Sequence, residues 1–185
     1  MGMKTLSLSE VKMKLSQFVD EVSDTDNPIS ITRNGEAIAV LLSQEDYEGW
    51  QETMEIMRDT DFYQTILKSM HELNRGEGLS LTAHELLQDR LNARIDYDNP
   101  VRIKVLPGVK KPLQDLQPET QNKFYDYLKK IYLKKEKGVM LKDGLEGLAY
   151  FRVGKYRLFY RWKVRSIEIV MIDLRETVYK QPIKL

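Results

Sequence analysis

Four residues of this 185-residue chain have types and spacing that could do chemistry: Arg152, Arg157, Arg175 and Tyr179. They lie in or just after the stretch LAYFRVGKYRLFYRWKVRSIEIVMIDLRETVY, residues 148–179. Clustered guanidinium groups can hold phosphates and stabilise charge that develops on them. Tyr179 would put a phenolic group beside those phosphates. The stretch predicts three strands, over 148–153, 155–162 and 166–173, with Gly154 suited to the first turn. A strand turns successive side chains to opposite faces. Tyr156, Leu158, Tyr160 and Trp162 then face one way, and Lys155, Arg157, Phe159, Arg161 and Lys163 the other. The pattern predicts one face lining a core and one carrying cations. For most sheets such a face is simply solvated. Here the first half of the chain looks built to keep it covered.

Net charge is +1, but the average hides a division. Residues 1–98 carry 9 Lys and Arg against 19 Asp and Glu; residues 99–185 carry 20 against 9. The basic half should seek an anion such as nucleic acid, and the acidic half is the nearest one available. There is no Cys, which excludes disulfides and thiolate metal sites. Both histidines, His71 and His84, lie in the acidic half, so the basic half has no imidazole for acid–base work. No apolar run approaches a membrane span and no signal peptide is visible, which predicts a soluble cytoplasmic protein without a membrane partner.

These residues need elements to position them. The chain opens with a short strand from Lys4, and Ser7 with Glu10 has capping-box spacing. Val11, Leu15, Phe18, Val19 and Val22 predict one helix to about Ser23. Strands over 29–32 and 37–42 flank Asn34-Gly35, a hairpin signal because both residues tolerate positive φ. Ser43 with Asp46 starts a helix to about Arg58. This βαββα unit is small for a stable monomer and is expected to pair through its apolar faces. Phe62, Ile66, Met70 and Leu73 mark a helix over 61–73, and Arg75-Gly76-Glu77-Gly78 breaks it. Thr82 with Glu85 caps another helix, striped by Leu86, Leu87, Leu91 and Ile95. These two helices have no local sheet to cover; they lie in a partner's groove or pack back on the first domain. Residues 96–100, DYDNP, are the best boundary. A strand over 101–106, a helix over 109–116 and a longer helix from Pro118 to about Lys135 follow. The expected class is α+β, with a βαββα domain over 1–58, a helical segment over 59–98 and a strand–two-helix–sheet domain over 99–185.

Two family resemblances cover nearly the whole chain. MKTLSLSEVKMKLSQFVDEV, ITRNGEAIAVLLSQEDYEGWQET and LNRGEGLSLTAHELL resemble antitoxins of the Phd/YefM family. That implies a dimer binding operator DNA, with a tail that wraps a toxin. Arg33 falls on the family's DNA-contacting hairpin, beside Asn34. Lys12 falls where relatives often have an arginine, and Lys4 lies nearby. Lysine keeps the charge there but loses the planar fork that reads guanine. Phe62, Ile66, Met70, Leu73, Leu86, Leu87 and Leu91 would be the toxin-neutralising residues. LEGLAYFRVGKYRLFYRW and IEIVMIDLRETVY resemble the RelE/ParE toxin superfamily. The chain is therefore identified as a fusion, natural or engineered, of the two halves of a type II toxin–antitoxin system.

The RelE side of that resemblance implies a metal-independent endoribonuclease that cuts mRNA in the ribosome by 2′-OH attack on the adjacent phosphate. Arg157 matches a catalytic arginine, Arg152 a basic neighbour, Arg175 a late arginine and Tyr179 a tyrosine. Relatives that use a glutamate with a histidine are a different version, excluded here by the missing His; Glu146 lies near that glutamate's region. Lys110, Lys111, Lys129, Lys130, Lys134 and Lys135 would hold ribosomal RNA through salt-sensitive contacts. A tethered neutraliser meets its target at an effective concentration of ~mM. Neutralisation in cis or by a dimer mate both remain open. The alternative is a ParE-like gyrase inhibitor, or an inactive basic half that leaves a DNA-binding regulator.

Overall fold

The computed structural model describes residues 3–87, 102–164 and 166–174. Chain contacts divide it into two compact units, residues 1–54 and 55–185.

The first unit begins with β1 (Lys4–Ser7) and α1 (Leu8–Met13). The Ser7 hydroxyl accepts from the Glu10 amide at 3.2 Å, the cap expected from their spacing. The expected single helix is broken at Lys14 (φ −129°), and α2 (Leu15–Thr25) continues beyond it. The break turns Phe18 and Val22 inward with Val11 and Ile29, while Leu15 and Val19 stay exposed. β2 (Ile29–Arg33) and β3 (Glu36–Leu41) form the expected hairpin, with Asn34 and Gly35 at φ 52° and 85°. β1 pairs parallel to β2, and β3 is an outer strand of this three-stranded sheet. α3 (Gln44–Arg58) starts where Ser43 Oγ accepts from the Asp46 amide at 3.0 Å.

The second unit holds α4 (Thr60–Asn74), β4 (Leu79–Thr82), α5 (Ala83–Leu87), β5 (Arg102–Val105), α6 (Pro107–Gln114) and α7 (Pro118–Tyr132). β6 (Val139–Met140), β7 (Ala149–Val153), β8 (Tyr156–Lys163) and β9 (Ser166–Leu174) complete it. One sheet runs β4-β5-β9-β8-β7-β6, antiparallel except for the β5–β9 pair. β4 departs from the expected helical segment over 59–98. Its residues pair with Arg102–Val105 and extend the sheet. The expected cap is also present: Glu85 N donates to Thr82 Oγ1 at 3.2 Å, and the Glu85 carboxylate accepts from Thr82 N at 2.6 Å. α7 stops three residues earlier than expected, because Lys134 turns to φ 56°. Gly138 follows at φ 63°, where an added Cβ would lie 2.7 Å from the Tyr150 carbonyl oxygen, so only glycine fits.

Both faces of this sheet are covered, and the cationic face that the first half of the chain was expected to cover lies under α4. On one side Phe124 and Tyr127 of α7 pack on Phe151, and Phe124 also meets Tyr156. On the other side Phe62 of α4 meets Phe159 edge-on at 5.8 Å. Phe159 and Ile66 are both fully buried, and Leu73 nearly so. The stretch that forms α4 gives no sign of the sheet it covers, because that sheet is built almost wholly from residues after 100. Apolar burial of this kind is the main stabilising term, about 1.5–3 kcal/mol per large side chain. Among the described residues no helix is long and apolar enough to cross a membrane.

A cationic row under the α4 helix

β7 and β8 set the expected chemistry in register. Arg152 lies directly across from Arg157, and Arg157 directly across from Asp173 on β9. The antiparallel turn at Gly154, φ 58°, makes this row possible. Arg152 is exposed; its Nη2 donates to Tyr150 Oη at 3.1 Å, and its guanidinium lies 5.3 Å from that ring's centre. Arg157 is held far more closely, with an 11% exposed side chain. Its Nε donates to Asp173 Oδ2 at 3.1 Å, and its Nη2 contacts the same oxygen. Its Nη1 lies 3.7 Å from a carboxylate oxygen of Glu55. The rings of Phe62 and Phe159 each lie 5.7 Å from its guanidinium carbon. Two carboxylates and two aromatic faces thus surround one cation.

The row continues into a buried polar network. Arg161, expected on the cation-bearing face, is buried. Its Nε donates to Glu168 Oε2 at 2.7 Å, and its Nη2 to Asn74 Oδ1 at 2.7 Å and the Met70 carbonyl at 3.3 Å. Lys104 donates to the Leu73 carbonyl at 3.0 Å and lies 3.8 Å from Glu168. Two cations therefore meet the last-turn carbonyls of α4, where the helix dipole is negative. Glu55, Lys104, Asn74 and Glu168 were all missed as partners. Glu168 had a sequence signal, since Arg161 and Glu168 are symmetric about the β8–β9 turn. Glu55 had none.

Arg175 and Tyr179 lie outside the described residues, as do Leu91 and the side chain of Leu87. Of the other residues expected to neutralise a toxin, Ile66, Leu73 and Leu86 are buried, and Phe62 and Met70 pack against the same core. Glu146 holds a local turn, accepting from the Gly144 amide at 3.0 Å.

The residues expected at DNA sit differently from one another. Arg33 and Asn34 are exposed at the β2–β3 tip, and Lys12 is exposed on α1. Lys4 is engaged by Glu21 at 2.7 Å and lies 5.0 Å above the Phe18 ring. Of the expected RNA-binding lysines, Lys110 and Lys111 lie on α6, and Lys129 and Lys130 in the last turn of α7. Lys134 and Lys135 follow that helix and are exposed. Lys130 is bonded to Glu136 at 2.8 Å, and that carboxylate raises the ammonium's pKa above its ordinary value. Among the described residues no His, Asp and Glu cluster is placed to hold a metal ion.

Compared with known proteins, residues 3–76 match the family described as "Antitoxin Phd_YefM, type II toxin-antitoxin system". Antitoxin RelB of Mycobacterium tuberculosis is 33% identical over 92 residues, covering 50% of this chain and all of the relative. Antitoxin YefM of Escherichia coli is 36% identical over 77 residues, 41% of this chain and 92% of the relative. Antitoxin RelF of M. tuberculosis is 46% identical over 52 residues, but the match spans just 56% of its length and 28% of this chain. A chain of the M. tuberculosis toxin–antitoxin complex RelBE2 matches with 35% identity and a TM-score of 0.37, over 40% of this chain and 82% of that one.

Proposed function

Since the chain belongs, through its N-terminal part, to the Phd/YefM family of type II antitoxins, we propose that it carries its own target: residues 55–87 neutralise a RelE-like endoribonuclease built by residues 102–185 of the same chain. The observation that carries this reading is the state of Arg157. Glu55 and Phe62, which precede the toxin-like half, lie on the guanidinium that the resemblance makes catalytic. A phosphate cannot reach a cation whose outward directions are taken by a carboxylate and an aromatic ring. RelBE2 is a toxin–antitoxin complex; here both roles would fall to one chain.

The proposed reaction is attack of a ribose 2′-OH on the adjacent phosphate of ribosome-bound mRNA. Arg152, Arg157 and Arg175 would stabilise the charge, and Tyr179 would orient the hydroxyl or base. The scheme calls for no metal or cofactor. The first unit would act as a homodimer on operator DNA through Arg33, Asn34 and Lys12. Exposed Ile38 and Val40 on the outer strand β3 support such pairing. A gyrase-inhibiting basic half is the second reading, since residues 102–174 form a fold-level scaffold that does not itself fix the target.

Displacing α4 tests the proposal. Phe62→Asp with Ile66→Asp removes two anchors, each contributing about 2–5 kcal/mol, and puts carboxylates against the apolar face. The unchanged full-length chain should be silent on mRNA-programmed ribosomes. The double variant, with its sheet still folded by circular dichroism, should cut A-site mRNA. A folded double variant that leaves mRNA intact and blocks supercoiling by gyrase would favour the second reading.

A further inference from the structure

A second cationic surface lies on the opposite side of the sheet from α4. A cavity of about 1100 Å³ is lined by Tyr132, Lys134, Lys135, Lys137, Trp162 and Lys163, with Glu136 at its wall. Tyr132 and Trp162 are nearly parallel, at 14°, with ring centres 6.4 Å apart. The left-handed turn at Lys134 ends α7 here and sets Lys134 and Lys135 beside that aromatic pair. Glu136 accepts from Lys130 at 2.8 Å, so the carboxylate at the wall is already engaged by a cation. A neighbouring groove shares Lys135 and adds Lys123, Lys129 and Lys130. The cationic surface therefore continues along α7.

Aromatic faces set among lysines fit an unpaired nucleic-acid strand, because a base inside a duplex is stacked on its neighbours and has no face free for a side chain. We infer that this groove binds single-stranded RNA, extending the Tyr132–Trp162 stack by a base and holding flanking phosphates on Lys134, Lys135 and Lys163. Arg157, Phe159 and Arg161 face α4, whereas Trp162 faces α7. Among the described residues, the side chains that cover Arg157 therefore do not cover the groove. The intact, silent chain holds RNA without cutting it. The choice of RNA over DNA rests on the endoribonuclease reading; the groove itself does not.

The test uses the full-length chain and a short labelled oligo(U), so it requires no cleavage. Trp50→Phe leaves Trp162 as the remaining tryptophan emitter. Binding should raise anisotropy and quench that emission. Lys134→Glu with Lys135→Glu changes two exposed side chains and should weaken binding at least about tenfold. It should also lower the slope of log K against log salt by about 1.4, at about 0.7 per single-strand phosphate contact. Unchanged affinity and slope in that variant, or binding without quenching, overturns the inference. Equal affinity for duplex RNA overturns the stacking. Tighter binding of oligo(dT) overturns the assignment to RNA. Loss of cleavage in displaced-α4 variants with oligo(U) binding intact would count against the endoribonuclease reading alone. Cleavage without oligo(U) binding would count against the groove alone.

Discussion

Arg157→Ala, placed in the chain whose α4 is displaced by Phe62→Asp and Ile66→Asp, is expected to slow mRNA cleavage by about 10²–10³-fold. That is the usual effect of removing one preorganised group that stabilises developing charge. The geometry supports a value in this range. Asp173 sits across the ladder from Arg157 and holds its Nε at 3.1 Å, so one side of the guanidinium stays fixed after Glu55 and Phe62 leave. Its remaining donors then turn outward in a defined direction, beside Arg152. Arg157→Lys keeps a charge but loses the fork that Asp173 orients, so it should recover part of the rate. Single-turnover cleavage on programmed ribosomes measures both, with urea unfolding as the check on folding. A rate within twofold of the displaced parent would remove Arg157 from the chemistry.

Glu168→Ala should cost about 3–5 kcal/mol in the urea unfolding of the second unit. The Arg161 and Glu168 side chains are 9% and 6% exposed. Removing the carboxylate strands Arg161 against neutral carbonyls in a nearly closed site and takes a 3.8 Å partner from Lys104, whose side chain is 24% exposed. Arg161→Met should lose less, since Glu168 keeps Lys104 at 3.8 Å. Replacing both, as Arg161→Met with Glu168→Leu, should lose less than the sum, since only the part-exposed Lys104 is then left without its carboxylate. The same network binds the end of α4, so Glu168→Ala should also raise cleavage by the otherwise unmodified chain. Single variants that each lose less than about 1 kcal/mol would mean that the network is solvated in practice.

Local chemistry was the legible part of this fold. Asn34-Gly35, Ser43 with Asp46, and Thr82 with Glu85 each specify a turn or cap through neighbours a few residues away. The α4 stripe of Phe62, Ile66, Met70 and Leu73 was readable for the same reason. What it covers came from the family resemblance and not from the stripe itself, because its sheet lies far along the chain. β4 escaped notice because LSLT is short and owes its strand form to pairing with Arg102–Val105. The two-residue β6 is fixed by pairing with Ala149 and Tyr150. Arg152 and Arg157 were placed together by strand alternation and one turn. Alternation could not reveal that Phe159 and Arg161, on that same face, would be buried beneath a helix from the other half.

On the proposed function, residues 55–87 silence the face carrying Arg157. The most direct measurement adds a separate peptide of residues 55–87 to the displaced-α4 chain on programmed ribosomes. The peptide should suppress cleavage in a saturable way, and a peptide bearing Phe62→Asp and Ile66→Asp should not. Cleavage that persists at saturating peptide, or an unmodified full-length chain that cuts as fast as the displaced one, would contradict it.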